Sequence, residues 1–176
     1  MKEKQPDKKQ DRWFPIFCGV MIALLLLNTF VVKLAIVDGL SMYPTLNDRD
    51  LLLVYQLGYE PEPGDVVVIR VTEERFSRKY IVKRVIATEG DTLLIDYDLN
   101  AVAVNGTVLE EPYLNYEEAD PMQPRDDRTV VSETIPEGCI FVMGDNRNHS
   151  SDSRSSKYGM IPVERIVGKV VLPRLS

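Results

Sequence analysis

The feature that most constrains this chain is an apolar run, Phe14 to Val32, which with Leu34–Val37 is long enough to cross a lipid bilayer. A helix needs ~20 such residues to span a ~30 Å hydrocarbon core. Lys33 interrupts the run near its far end, where a lysine stem can lie in lipid while its ammonium reaches the interface. Ahead of it, Lys2, Lys4, Lys8, Lys9 and Arg12 outnumber Glu3, Asp7 and Asp11. Residues 1–13 therefore read as a solvated cytoplasmic tail, by the excess of basic residues on the inner side. A cleavable signal peptide is the rival reading, since it also has a basic start and an apolar middle. The run exceeds the roughly 7–15 residues of a typical signal-peptide core, and Ile36-Val37-Asp38 is a poor small-x-small site. The expectation is a retained single-span anchor over 14–37, with residues 38–176 on the outer side of the membrane.

With 176 residues, the chain has room for that anchor and one modest domain with its own core. Its net charge of −6 argues against a nucleic-acid partner, which calls for a basic face. Cys18 lies inside the apolar run and Cys139 far along the chain, so two free thiols are expected. His149 and these cysteines have no ligand spacing, and no metal or other cofactor is implied.

Beyond residue 38 the hydrophobic pattern has the period of strands. Short runs rich in Val, Ile, Leu and Tyr occur at Asp50–Leu57, Asp65–Thr72, Lys79–Thr88, Thr92–Tyr97, Ala101–Val104, Thr107–Leu109, Cys139–Met143 and Ile166–Leu172. Turn-forming residues separate them, and Asn105-Gly106 is a strong two-residue hairpin signal. Glu110–Arg128 is polar and proline-bearing, which reads as a surface excursion. The fold class is mainly β, an antiparallel sheet domain, with the stretch at about 92–138 as a reduced insertion.

Three segments carry chemistry. Gly39-Leu40-Ser41-Met42-Tyr43-Pro44-Thr45-Leu46 sets a hydroxyl on a turn stiffened by proline, with a glycine that lets another backbone approach. Ser41 is about four residues past Val37, at most ~14 Å even fully extended, so its hydroxyl belongs near the bilayer surface. A serine needs a base to become a nucleophile. Histidine is the familiar one, and a neutral lysine is the other, if its pKa falls from ~10.4 by about three units. Lys83 lies in Tyr80-Ile81-Val82-Lys83-Arg84-Val85-Ile86-Ala87, where strand alternation gives it Ile81, Val85 and Ala87 as same-face neighbours. Such a setting disfavours an ammonium ion. The plainer reading is a lysine snorkelling from a strand edge. The third segment, Gly144 to Arg154, is a run of glycine, small polar and charged residues that is costly to order unless its members bond to one another or to a site. It also permits a formal Ser41–His149–Asp152 triad, although nothing on a loop makes Asp152 orient His149.

Taken together, these segments closely resemble the bacterial type I signal peptidases, in their short single-span form, over nearly the whole chain. Ser41-Met42-Tyr43-Pro44-Thr45 resembles the family's nucleophile box. Tyr80–Ile86 with Gly90-Asp91 resembles the box carrying the general base, and Gly144-Asp145-Asn146-Arg147 with Ser150, Asp152, Ser153 and Arg154 resembles the last box. The resemblance implies a Ser-Lys endopeptidase of mostly antiparallel β architecture, which removes signal peptides from secretory precursors at the outer face of the cell membrane. By the same analogy Ser41 is the nucleophile and Lys83 the base. Ser150 would orient the lysine, and Asp152 would pair with Arg154. Met42, Leu46, Ile81 and Val82 match positions that line the pockets for small substrate side chains. The implied partners are secretory precursors and the lipid bilayer, with no oligomeric state assigned.

One position departs from some members, which carry a serine two residues before the nucleophile to bond the oxyanion. Here it is Gly39, which leaves the Ser41 backbone N–H and another amide as the donors. Two readings from other classes stand beside the peptidase: a non-proteolytic membrane-anchored assembly factor on the same fold, and an anchored β-domain whose Gly144–Arg154 loop docks a partner.

Overall fold

The computed structural model describes residues 13–71, 79–114, 120–125 and 130–171. Its strands form where β-branched residues cluster between turns. A helix, α1 (Trp13–Phe30), is followed by β1 (Val32–Ile36), β2 (Leu51–Tyr55), β3 (Val66–Arg70), β4 (Tyr80–Thr88), β5 (Thr92–Asp96), β6 (Ala101–Val104), β7 (Thr107–Val108), β8 (Val130–Thr134), β9 (Cys139–Met143), β10 (Ile161–Pro162) and β11 (Ile166–Val171). A 7-stranded sheet has the order β1-β2-β11-β3-β4-β9-β10, and a 4-stranded sheet the order β7-β6-β5-β8. Every strand pair in both is antiparallel. Of the expected runs, Thr72 and Leu172 lie outside the described residues, as does the basic tail ahead of Trp13.

The apolar run departs from the expectation of one helix over 14–37. The helix stops at Phe30, and Val32–Ile36 pairs as a strand, with Val32 opposite Tyr55 and Ile36 opposite Leu51. Thr29 bonds back to the Leu25 carbonyl (2.7 Å) just before the helix ends, and the β-branched pair Val31-Val32 follows. Hydrophobicity alone does not separate helix from strand; the partner strand β2 makes the difference here. At 1.5 Å per residue the 18-residue helix is ~27 Å long. Among the described residues, no helix is long and apolar enough to cross a membrane.

Three apolar clusters hold the sheets together. Val66 and Val68 on one side of β3 join Val37, Met42, Leu46, Leu52, Val54 and Val170. On its other side Val67 and Ile69 join Val85, Ile140, Val142 and Ile161. Covered on both faces, β3 reads as an unbroken apolar run. The third cluster joins the sheets, with Ile86, Ala87, Phe141 and Met143 from the large one against Leu93, Ile95 and Val102 from the small one. A register shift between Val85 and Ala87 separates these neighbours into different clusters. Ala87 thus does not share the side of Lys83, as unbroken alternation had suggested.

Because Ile69 is fully buried between strands, Ile69→Ala is expected to cost ~2–5 kcal/mol. Urea unfolding checks it as a lower midpoint at unchanged slope.

Candidate active site

The β1–β2 connection carries Ser41. Its base is closed by paired backbone bonds, Val37 N–H to the Asp50 carbonyl and Arg49 N–H to the Val37 carbonyl, both 2.9 Å. Within it, Gly39 adopts φ 105°, a left-handed-side conformation open to glycine. Its N–H is taken by Asp48 Oδ1 at 2.7 Å. The Tyr43–Pro44 peptide is cis, and the Leu46 N–H closes a turn onto the Met42 carbonyl.

Lys83 comes from β4, the strand that changes partners along its length. Tyr80–Arg84 pair with β3 on one side, whereas β9 covers the other side only from Arg84 to Thr88. At this change-over, Lys83 is 3% exposed, and its Nζ donates to Ser41 Oγ and to the Val82 carbonyl, each at 2.7 Å. Tyr80–Lys83 line a cleft of about 90 Å³ together with Ala35–Asp38, Ser41, Met42 and Val68, the last of which is the cross-strand neighbour of Val82. Ile81, Val82 and Met42 line this cleft, whereas Leu46 is buried in the adjoining core and is not part of the lining.

The loop after β9 closes over Ser41. Gly144 packs so tightly that an added Cβ would collide with the Ser41 carbonyl oxygen and the Ser150 side chain. Asn146 holds the Ser41 turn from the same loop, its backbone N–H bonding the Ser41 carbonyl (3.0 Å) and its Nδ2 the Leu40 carbonyl (3.1 Å). Ser150 is buried beside Gly144, and among the described residues its Oγ makes no hydrogen bond of ordinary geometry. Asp152 and Arg154 form a fully buried pair, Nε to Oδ1 at 2.8 Å and Nη2 to Oδ2 at 2.9 Å. Asp152 Oδ2 also accepts the Gly144 N–H (3.0 Å), so both carboxylate oxygens are occupied. Burial by itself would raise the Asp152 pKa; the Arg154 guanidinium and the Gly144 N–H outweigh it and hold the carboxyl below its ordinary value. His149 is exposed in a short 3-10 turn. With Asp152 committed to Arg154, the formal histidine triad has no orienting carboxylate.

Arg84, next to Lys83, is a further site residue whose role the sequence does not disclose. It chelates Asp145, Nε to Oδ1 at 2.8 Å and Nη2 to Oδ2 at 2.6 Å, and its Nη1 bonds the Gly64 carbonyl at 2.8 Å. Asp145 accepts in turn from Thr45 Oγ1 at 2.5 Å. One buried carboxylate thereby ties the lysine's strand to the serine's turn. Arginine beside the lysine and aspartate beside Gly144 were the available signal; their pairing needs the fold. Among the described residues, no group of three His, Cys, Asp or Glu side chains is gathered as a metal would require. Cys18 and Cys139 are free thiols.

The site thus sets a hydroxyl against a buried amine at the edge of a cleft. The family described as signal peptidase, peptidase S26, matches residues 10–175. The chain is 37% identical to signal peptidase I of Bacillus caldolyticus over 176 residues, 95% of this chain and 91% of that one. It is 34% identical to signal peptidase IB of Staphylococcus aureus over 171 residues, 90% of this chain and 85% of that one. The crystal structure of a signal peptidase I from Enterococcus faecalis V583 superposes with a TM-score of 0.51 at 24% identity, covering 64% of this chain and 98% of the other, and shows the likeness of fold. The chain belongs to the signal peptidase family, peptidase S26.

Gly144→Ala is expected to abolish more than ~90% of any Ser41-dependent activity and to destabilise the fold by about 1–3 kcal/mol, since the methyl has no space against backbone; a turnover assay and a melting curve check both. The buried Asp152 adds a pH dependence. Its folded pKa is depressed, so its stabilisation is fully present above the ordinary ~3.9 and is lost as pH falls through the lower folded value. Urea midpoints measured from pH 7 to pH 2 should fall across that window. Asp152→Asn, which strands a buried guanidinium, should cost ~3–5 kcal/mol at pH 7 and flatten the acid slope.

Proposed function

We propose that this protein is a membrane-bound serine endopeptidase that cleaves signal peptides from secretory precursors after a small-x-small motif, using Ser41 as nucleophile and Lys83 as general base. The observation that carries the reading is the 2.7 Å contact between Lys83 Nζ and Ser41 Oγ at the edge of the cleft. Relatives named signal peptidase I, alike over nearly the whole chain, support it.

The mechanism follows from the parts. An extended precursor segment adds to the uncovered side of Tyr80–Lys83, between that edge and the wall at Ala35–Asp38. Met42, Ile81 and Val82 leave room there for small side chains and reject bulky ones by clash. Leu46 acts from the core by supporting Met42, in the same cluster. The Ser41 oxygen attacks the carbonyl carbon while its proton passes to the neutral Lys83 amine. The resulting ammonium returns that proton to the departing amine as the peptide bond breaks, leaving an acyl-enzyme on Ser41. Lys83 then takes a proton from water, which attacks the ester, and passes that proton to the Ser41 oxygen as the ester bond breaks and the acid product leaves. The Ser41 N–H, with no acceptor among the described residues, is the backbone donor for the oxyanion. By the family analogy Ser150, buried beside Gly144, orients the amine, and the Asp152–Arg154 pair braces the loop that carries it.

Membrane attachment rests on α1. Its large side chains are exposed around the helix, Trp13, Phe14, Ile16, Phe17 and Leu25 each by 60% or more. A helix apolar on all sides calls for lipid or a protein partner, and the lysine-rich stretch before it favours an N-terminus on the cytoplasmic side. Residues 38–176 then form the extracytoplasmic catalytic domain, with the insertion at 92–138.

Ser41→Ala and Lys83→Ala should each lower cleavage of a small-x-small precursor in detergent or lipid by more than about 10³-fold, followed by mass spectrometry of the products. Persistent cleavage by either variant sinks the dyad, and a wild type that never cleaves sinks the enzyme. Since the amine must be uncharged to accept the proton, kcat/KM should rise with pH along an acid limb whose apparent pKa lies below lysine's ordinary ~10.4.

A further inference from the structure

The segment after β7 reaches back under the catalytic loop, and its contacts are more specific than a surface excursion needs. Glu111 forms a bidentate pair with Arg147, Oε1 to Nη2 at 2.5 Å and Oε2 to Nη1 at 3.1 Å, with the arginine side chain 1% exposed. Arg147 Nε donates to the Gly144 carbonyl at 3.1 Å, the residue that packs on Ser41. Two residues on, the Tyr113 hydroxyl donates to Glu111 Oε1 at 2.7 Å, and its ring lies 3.8 Å from the Arg84 guanidinium carbon. Arg84 is the residue that chelates Asp145, beside Lys83 in sequence. A turn bond from Leu114 N–H to the Glu111 carbonyl (3.0 Å) keeps both side chains on one short bend, with Pro112 at its second position. Burial, and next the Glu111 carboxylate, push the Tyr113 phenol well above its ordinary pKa, so it stays a donor.

From this one bend, two arms reach the two halves of the candidate dyad. The first runs through Arg147 and Gly144 to the carbonyl of Ser41. The second runs through Arg84 to the strand of Lys83, and through Asp145 to Thr45 in the nucleophile turn. We propose that Glu111 and Tyr113 are positioning residues, a latch supplied by the small-sheet insertion that holds Ser41 and Lys83 at bonding distance; this rests on the peptidase reading above. Neither touches the cleft, so the latch acts on how the pair is aligned and not on how substrate is held. The Tyr113 ring beneath Arg84 limits the room in which the guanidinium can move away from the two Asp145 oxygens. The Glu111 carboxylate neutralises a guanidinium that is otherwise deep in the fold.

The test uses the full chain in detergent or lipid vesicles with a small-x-small precursor, and the variants Glu111→Gln, Tyr113→Ala and Tyr113→Phe. Misalignment of reacting groups by an ångström costs up to ~100-fold in rate. Glu111→Gln and Tyr113→Ala should therefore lower kcat by ~10- to ~100-fold, with KM within about twofold and the acid limb of the pH profile displaced. Tyr113→Phe, which keeps the ring over Arg84, should regain most of the loss. A merely structural role predicts lower melting temperatures with kcat and the acid limb unchanged when the variants are assayed well below melting, and that result overturns the latch. If Tyr113→Ala fails to fold, Glu111→Gln and Tyr113→Phe decide the matter by the same readouts. A wild type that cleaves while Glu111→Gln matches it in kcat and pH profile removes the latch alone; a wild type that cleaves nothing removes both readings.

Discussion

An amine almost sealed from water, 2.7 Å from a hydroxyl, sets a condition that the surrounding residues must meet. A nearby carboxylate favours a charged lysine, whereas hydrocarbon disfavours it. Three carboxylates of this region are each committed to a guanidinium, Asp145 to Arg84, Asp152 to Arg154 and Glu111 to Arg147, while Asp38 stands exposed at the cleft wall. Arginine suits this work, because its planar fork satisfies both oxygens and it does not give up its proton. The lysine amine bonds to a hydroxyl and a backbone carbonyl. Segregation of charge in this way lets several buried ions coexist with an amine that is bonded to neutral oxygens.

The large sheet makes the cleft by failing to pair fully. Covered by β9 only from Arg84 onward, β4 has a backbone edge along its first residues with no partner strand on one side among the described residues. An open edge is ordinarily a hazard, since it invites pairing with any extended chain. The wall at Ala35–Asp38 narrows that invitation to a slot, and the bulge at Val85–Ala87 turns the rest of β4 into the core that joins the sheets. The same strand thus lines the cleft over one half and is a structural member over the other.

Much of this was legible beforehand. The β-rich pattern and the Asn105-Gly106 hairpin follow from local rules, and β5 and β6 pair accordingly with β7 beyond the turn. Val32–Ile36 was not legible as a strand, because a continuous apolar stretch satisfies both helix and buried strand until the partner is known. Val130–Thr134 escaped for the opposite reason: Ser132 and Glu133 dilute the apolar signal, and pairing with β5 supplies what composition lacks. At the site, Ser41 and Lys83 are singled out by the segments that resemble the family's boxes, since hydrophobic alternation alone leaves Lys83 open to a plainer reading. Arg84, Asp145 and Glu111 do not announce themselves, since a surface ion and a buried one are spelled alike and only long-range pairing tells them apart. Gly144 belongs to the same class, a residue whose meaning is the space it leaves for another loop.

A single residue, Val31, separates the end of α1 from the start of β1. The strand is therefore a covalent extension of the helix, and Ala35, the first residue of the cleft wall, lies five residues beyond Phe30, no more than ~17 Å along the chain. If the helix is seated in lipid, the height of the cutting position above the hydrocarbon is a matter of bond lengths, not of a hinge. Such an enzyme measures its substrate the way a plane measures a board, by the fixed depth of its blade below the sole.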